Sequence, residues 1–180
     1  MLTIAGTNGS DIKVGKVYWI TGLSGAGKTT IGTLLQQKLL ARGRPAVLLD
    51  GDMLREAFGY DLGYSLEDRR INAMRYAQLC RLLSSQGIDV VCSTISLFHD
   101  IHAWNRENMP NYLEIYLKVS LDVLVKRNQK GLYDERSGIT EVYGLNLKVE
   151  EPLHPDITID NDGILSVDQI VTQVVNMGMR

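Results

Sequence analysis

Long apolar runs are missing from this chain. Nothing approaches the about 18 consecutive apolar residues of a membrane-spanning helix, so no span is expected. Cysteine is scarce too. Cys80 and Cys92 fall in apolar stretches of helical and strand character without C-x-x-C spacing, which argues against a disulfide framework and predicts reduced core residues. Excess positive charge is also lacking. The 19 Lys and Arg face 21 Asp and Glu, a formal net charge of −2, which argues against a protein that coats nucleic acid or anionic membranes. Cations needed for an anionic ligand must therefore be placed locally. The three histidines, His99, His102 and His154, show no metal-ligand spacing with cysteine or carboxylate and are expected at the surface. The first 15 residues contain neither a basic n-region nor an apolar h-region, so no secretory signal is read and a soluble, cytoplasmic protein is expected. Internal repeats and low-complexity tracts are absent as well.

What is present is an alternation of strands and helices. A loose arm rich in Gly, Thr, Asn and Ser is expected over residues 1–15, with one domain over 16–180. At this length the domain buries about 70% of its unfolded surface. Strands are predicted at 17–21, 46–50, 88–95, 112–119 and 157–159, and helices at about 28–40, 66–86, 100–108, 121–129 and 167–176. The third strand is almost wholly apolar at its centre, as a strand covered on both faces should be. Alternation of this kind implies an α/β fold, a five-stranded parallel sheet with helices on both faces. The stretch 131–155 shows little periodicity and is too long for an ordinary connection, so it reads as a lid.

The most informative segment follows the first strand. Gly22-Leu23-Ser24-Gly25-Ala26-Gly27-Lys28-Thr29 is a complete G-x-x-x-x-G-K-[ST] phosphate-binding loop, and Thr30 continues into a helix. Strand before and helix after are the context this motif requires. Glycines at 22, 25 and 27 permit backbone angles a Cβ would forbid, so successive N–H groups can turn onto a phosphate. The helix adds its positive dipole end to the same anion. Lys28 is expected on the β/γ-phosphates of ATP and the Thr29 hydroxyl on Mg²⁺.

Further candidates gather at strand ends. The second strand closes in Asp50-Gly51-Asp52, followed by Arg55; carboxylates at the carboxyl end of a parallel strand lie on the ligand side of such sheets. They can hold the Mg²⁺ water shell or accept a proton from an attacking hydroxyl; the simpler alternative is an Asp-Gly turn with solvated carboxylates. Arg69 and Asn72, three apart on a helix, share a face and with Arg55 can clamp an anionic acceptor, although Glu67-Asp68-Arg69-Arg70 also reads as a salt-bridged, solvated turn. Arg127 ends the helix before the lid. It can stack on the donor base or stabilise transferring charge, or merely complement a helix C-terminus.

In this order the pieces resemble the adenylyl-sulfate kinase family of P-loop kinases, which phosphorylate the 3′-hydroxyl of adenosine 5′-phosphosulfate with ATP. The matching segments are the phosphate loop, Leu48-Leu49-Asp50-Gly51-Asp52 with Arg55, and Asp61-Leu62-Gly63-Tyr64-Ser65 with Asp68, Arg69 and Asn72. Ser93-Thr94-Ile95-Ser96, Lys130-Gly131-Leu132-Tyr133, and Gly144 with Glu150, Pro152 and Pro155 complete the series. The resemblance covers about Val17 to Asp160. It implies the P-loop NTPase fold, ATP and Mg²⁺, and a small-molecule nucleotide partner, with no nucleic acid and no membrane; it is compatible with a homodimer. It places Arg55, Arg69, Asn72, Ile95 and Lys130 at the acceptor nucleotide, and Tyr64 where the family stacks a ring on the acceptor base. Ser96 falls on the family's active-site serine, and is read here as a hydroxyl that bonds the acceptor or backbone rather than a phosphate carrier.

Departures from the family pattern are concentrated. Ile-Ser-Pro-Tyr-Arg becomes Ile95-Ser96-Leu97-Phe98-His99, and Glu-Asn-Ile-Arg-Arg becomes Ile71-Asn72-Ala73-Met74-Arg75. The lid's Phe-Thr-Gly-Ile-Asp becomes Val142-Tyr143-Gly144-Leu145-Asn146, so the second face for the acceptor base falls to Val142 or to Tyr143. All lie on the acceptor side. The expectations are therefore an adenylyl-sulfate kinase, or the same chemistry on another nucleotide such as a cytidine diphosphate derivative used in polysaccharide modification. A nucleotide-operated switch is the third reading, and the chain has no Asn-Lys-x-Asp guanine-reading motif to support it.

Overall fold

A computed structural model describes residues 13–127 and 149–178. Lys130, most of the expected lid, including Val142 and Tyr143, and most of the expected N-terminal arm lie outside the described residues.

Strand β1 (Val17–Thr21) is buried throughout, and its side chains alternate between two cores. Tyr18 and Ile20 point to one face, where α1 (Lys28–Leu40) and α6 (Val167–Gly178) pack through Ile31, Leu35, Leu39, Ile170, Val171, Val174 and Val175. Val17 and Trp19 point to the other, which α3 (Leu66–Ser85) and α4 (His99–Asn108) cover through Ala73, Tyr76, Ala77, Cys80, Phe98 and Ile101. Period-two alternation against two helical layers is what makes the central strand apolar on both faces. Both cysteines are buried and free, as their apolar settings predict.

The remaining strands are β2 (Ala46–Asp50), β3 (Asp89–Ser93), β4 (Tyr112–Lys118) and β5 (Ile157–Asp160), in the order β2-β3-β1-β4-β5, all neighbours parallel. The chain leaves β1 between β3 and β4, so β1's carboxyl end is the switch point where open parallel sheets bind ligands. Helix α5 (Leu121–Arg127) seals the sheet's edge there, its buried Leu124 packing on Leu23 and Val119.

Sequence periodicity overlooked one element. Residues after β2 form a short helix, α2 (Gly51–Ala57), capped by Asp50, whose side chain accepts the Asp52 N–H. An Asp immediately before the first helical residue is an N-cap signal, but seven residues offer too few turns to show a helical period. Helix α3 begins on Ser65, whose Oγ accepts from the Asp68 N–H. One surface expectation fails. His102 is buried, 6% exposed, on the inner face of α4, and Arg106 one turn on covers part of the same polar cluster. His99 is half-buried and His154 exposed.

Candidate active site

The phosphate loop takes the backbone its glycines allow. Gly22, Gly25 and Gly27 have φ of 152°, 79° and 91°, and Gly27 is the residue before the first helical position of α1. At Gly22 a Cβ would sit 2.5 Å from the Leu117 carbonyl of β4, so even a methyl is excluded. Leu23, Ser24 and Gly25 are half-buried, and Ala26 is sealed into the core beneath them.

Two side chains brace the outer edge of this loop. Arg127 donates to the Gly25 carbonyl at 3.1 Å and to the Asn161 carbonyl at 2.7 Å, and Asn161 Nδ2 donates to the Ala26 carbonyl at 2.8 Å. Carbonyls engaged outward leave the loop's amides to the phosphate side. Asn161 was not expected from the sequence; it lies 135 residues from its partner, and no local pattern marks such a contact. Arg127 and Asn161 also line an open recess with Gly25, Gly27, Thr30 and Ile31. A flat ring beside the loop would fit there against the guanidinium plane.

Inside the loop, Lys28 folds back to donate from Nζ to the Leu23 carbonyl at 2.7 Å. Thr29 Oγ1 donates to Asp50 Oδ2 at 2.7 Å, and Asp50 Oδ1 accepts the Asp52 N–H at 3.0 Å. Asp50 is thus held by two donors from two elements, 7% exposed at the end of β2. A hydroxyl and a carboxylate in contact beside a phosphate loop suit Mg²⁺, a hard cation that takes few protein oxygens and fills its octahedron with water and phosphate. Among the described residues no group of three or more His, Cys, Asp or Glu gathers as a self-sufficient metal cage. Asp52 itself is exposed on the first turn of α2.

The path continues along the strand ends. Ser93 Oγ donates to the Lys28 carbonyl at 3.2 Å, and Thr21 Oγ1 donates to the Ile95 carbonyl. Gly51 at the start of α2 lies against Thr94, a Cβ there falling 3.7 Å from Thr94 Oγ1. Thr94 Oγ1 and Ser96 Oγ share a hydrogen bond at 2.7 Å, both residues buried. Two hydrogen-bonded pairs, Thr29–Asp50 and Thr94–Ser96, therefore stand at the ends of β2 and β3.

Beyond α2 the cations converge on one exposed ring. Arg55 donates to the carbonyls of Leu62 and Gly63, and its guanidinium carbon stands 4.5 Å from the Tyr64 ring centre. Arg69 donates from Nε to the Tyr64 carbonyl at 2.6 Å and lies 5.6 Å from the same ring. Tyr64 is 61% exposed, a large flat surface with two cations beside it. Asn72, one turn after Arg69, is buried at the base of this group. The expected acceptor residues Arg55, Tyr64 and Arg69 are thus in mutual contact.

A phosphate loop at the switch point of a β2-β3-β1-β4-β5 parallel sheet, with a hydroxyl–carboxylate pair at its mouth, defines a P-loop kinase. The described residues include no helix long and apolar enough to cross a membrane. A profile of the adenylylsulphate kinase family matches residues 14–160, and the chain belongs to that family, a family of enzymes that transfer phosphate from ATP to a nucleotide. It is 42% identical to the adenylyl-sulfate kinase of Vibrio cholerae over 87% of this chain and 74% of the relative. It is 35% identical to the cytidine diphosphoramidate kinase of Campylobacter jejuni over 88% of this chain and 94% of that protein. Among solved structures it is similar to the Mycobacterium tuberculosis APS kinase CysC in complex with AMPPNP and APS, with a TM-score of 0.85, 32% identity, and coverage of 92% and 98%. Shikimate kinase from Acinetobacter baumannii, at 15% identity and a TM-score of 0.65, shares the fold alone.

Proposed function

We propose that this chain phosphorylates the 3′-hydroxyl of adenylyl sulfate with ATP. One observation carries the reading: the Thr29–Asp50 hydrogen bond joins the phosphate loop to α2, and that helix delivers Arg55 to the Tyr64 ring. Donor and acceptor half-sites are thereby built onto the two ends of seven residues.

In this mechanism the loop amides and Lys28 hold the β- and γ-phosphates, Lys28 Nζ exchanging the Leu23 carbonyl for phosphate oxygen. Arg127 covers the donor base. Thr29 and Asp50 would hold Mg²⁺, which would supply charge neutralisation for the transferring group. Arg55 and Arg69 take the acceptor's anionic groups, and Tyr64 supplies a stacking face for its base. Asn72, Ile95, Ser96 and Lys130, with Val142 and Tyr143, complete the acceptor side in this reading. Asp52 accepts the proton as the 3′-oxygen bonds to the γ-phosphorus and the bond to the β-phosphate oxygen breaks. In-line transfer between two held substrates draws most of its rate from positioning and charge, and that is what these groups provide.

A specific observation favours a second acceptor. The loop after β3 carries Leu97, Phe98 and His99 where the family has Pro, Tyr and Arg; Leu97 and Phe98 are buried, and His99 is tied to Glu150 and the Glu151 carbonyl. This reshapes the acceptor side while leaving the donor loop intact, and supports a cytidine diphosphate derivative such as a diphosphoramidate. The deciding assay compares kcat/KM for adenylyl sulfate and cytidine diphosphate derivatives, with Val142→Phe as a control that restores an aromatic. Efficient use of adenylyl sulfate supports the first reading. A preference of roughly 10–100-fold for cytidine, the worth of one lost stacking face for adenine, overturns it. The homodimer expectation belongs with the same enzyme and is checked by sedimentation.

A further inference from the structure

The polar cluster behind Ser96 holds two buried titratable side chains, His102 and Glu114, to which the transfer mechanism assigns no role. His102 Nε2 lies 2.9 Å from the Ser96 carbonyl. A carbonyl only accepts, so Nε2 carries a proton. The other ring nitrogen, Nδ1, stands 3.1 Å from Glu114 Oε1, on β4 beside the central strand, and neither atom has a hydrogen-bond partner among the described residues. Glu114 is 2% exposed and its second oxygen, Oε2, accepts from Arg106 at 2.9 Å. Two acceptors facing each other at 3.1 Å in the interior would repel, so one proton must lie between Nδ1 and Oε1.

We propose that His102 and Glu114 are a positioning pair for the transfer reaction, a single shared proton between them holding the Ser96 peptide, and with it the Ser96 hydroxyl, against the acceptor nucleotide. The inference rests on the reading of Ser96 as an acceptor-side residue. With the proton present, as imidazolium–carboxylate or as imidazole–carboxylic acid, the ring donates to Ser96 and the Nδ1–Glu114 contact is satisfied. Removing it leaves a neutral ring with one N–H and two acceptors to serve. Charge favours the carboxylate, so the ring donates to Glu114 and turns a bare Nε2 toward the Ser96 carbonyl, which is then released.

The surroundings set where this happens. Burial pushes Glu114 up to about 7 and lowers His102, which brings the two groups toward the same range. Arg106 opposes the first shift and adds to the second. The other charged or titratable groups facing the pair are His99 at the start of α4, Glu150 near the end of the expected lid, Asp156 just after it, and Tyr112 on β4. Arg106 ties that segment down through Asp156 and the His154 carbonyl.

The test is the pH dependence of acceptor KM against ATP KM, in the intact enzyme. The expected result is an acceptor KM that rises about tenfold between pH 6.5 and 9, the effect of one lost hydrogen bond, while ATP KM changes less than about twofold. Glu114→Gln supplies an amide that can donate to Nδ1 at every pH, and is expected to flatten the rise. His102→Ala should raise acceptor KM across the range. An acceptor KM without an alkaline rise, or the same rise in Glu114→Gln, overturns the proposal. Nitrogen-15 NMR of the wild-type imidazoles, assigned with His99→Gln and His154→Gln, reads the ring directly and does not depend on variants of the pair folding. Loss of the Ser96-bound Nε2–H form at alkaline pH supports the pair, and an Nδ1–H tautomer at all pH overturns it. A wild-type enzyme that phosphorylates no nucleotide acceptor would overturn the acceptor reading instead, and the ring spectrum would still judge the pair.

Discussion

Asp50→Asn separates chemistry from stability at the position where the two could be confused. The side chain has two jobs, capping α2 by accepting the Asp52 N–H and taking the Thr29 hydroxyl at 2.7 Å. Asparagine keeps an oxygen for the cap and is about as good as aspartate there. The Thr29 bond loses a charged acceptor, which costs about 1 kcal/mol. Removing a buried negative charge offsets part of that. A net loss near 1 kcal/mol in a chain of this size lowers Tm by about 2–4 °C. Catalysis should suffer far more, because the charge that supports Mg²⁺ beside Thr29 is gone; the expected fall in kcat is about 100–1,000-fold, with a higher Mg²⁺ requirement. Asp50→Ala is the control. It loses cap and hydroxyl partner together, about 2 kcal/mol or more, so it should match the asparagine variant in rate but melt several degrees lower. The assays are steady-state phosphoryl transfer across a Mg²⁺ titration and thermal unfolding. Near-normal turnover in Asp50→Asn with a melting loss as large as that of Asp50→Ala would make Asp50 structural and refute the mechanism.

Lys28→Ala removes a half-buried side chain that the proposed mechanism places on phosphate, not a core residue, so transfer should fall roughly 100–1,000-fold while far-UV circular dichroism and Tm stay near wild type. Arg127→Ala should release the Gly25 and Asn161 carbonyls and uncover the recess beside the loop; the expected effect is a KM for ATP raised about tenfold or more with acceptor KM nearly unchanged, and an unchanged ATP KM would show that the brace is idle. Gly32→Ala tests the fit of α1 on the sheet: its Cβ would collide with Ser93 Oγ, which is bonded to the Lys28 carbonyl, and come within 3.1 Å of Leu48. Overpacking of this kind costs about 1–3 kcal/mol, so chemical denaturation should show an earlier midpoint with an unchanged slope.

Much of this enzyme was legible along the chain because its largest determinants are local. The phosphate loop is eight consecutive residues whose glycines dictate their own backbone, and α3 was expected over nearly its full length from the sequence. Strands β1 and β3 are buried throughout and leave no polar alternation, whereas the edge strand β5 alternates buried and exposed residues. The Asp-Gly-Asp and Leu-Gly-Tyr-Ser segments could be read as candidate half-sites for the same reason: each is a short continuous run. What only the tertiary structure decided are the contacts between distant segments. Helix α2 is too short to show a period, and its cap became visible only with Asp50 fixed at the end of β2. His102 was expected at the surface because it shows no metal-ligand spacing in sequence, whereas Glu114 and the Ser96 carbonyl, which face it in the interior, come from a strand and a loop. Asn161 acquires a role only because parallel strand order brings the end of β5 to the loop after β1. Sequence pattern reports which residues a backbone segment buries; which polar groups then face one another across the sheet depends on strand order and register, and those are properties of the folded chain.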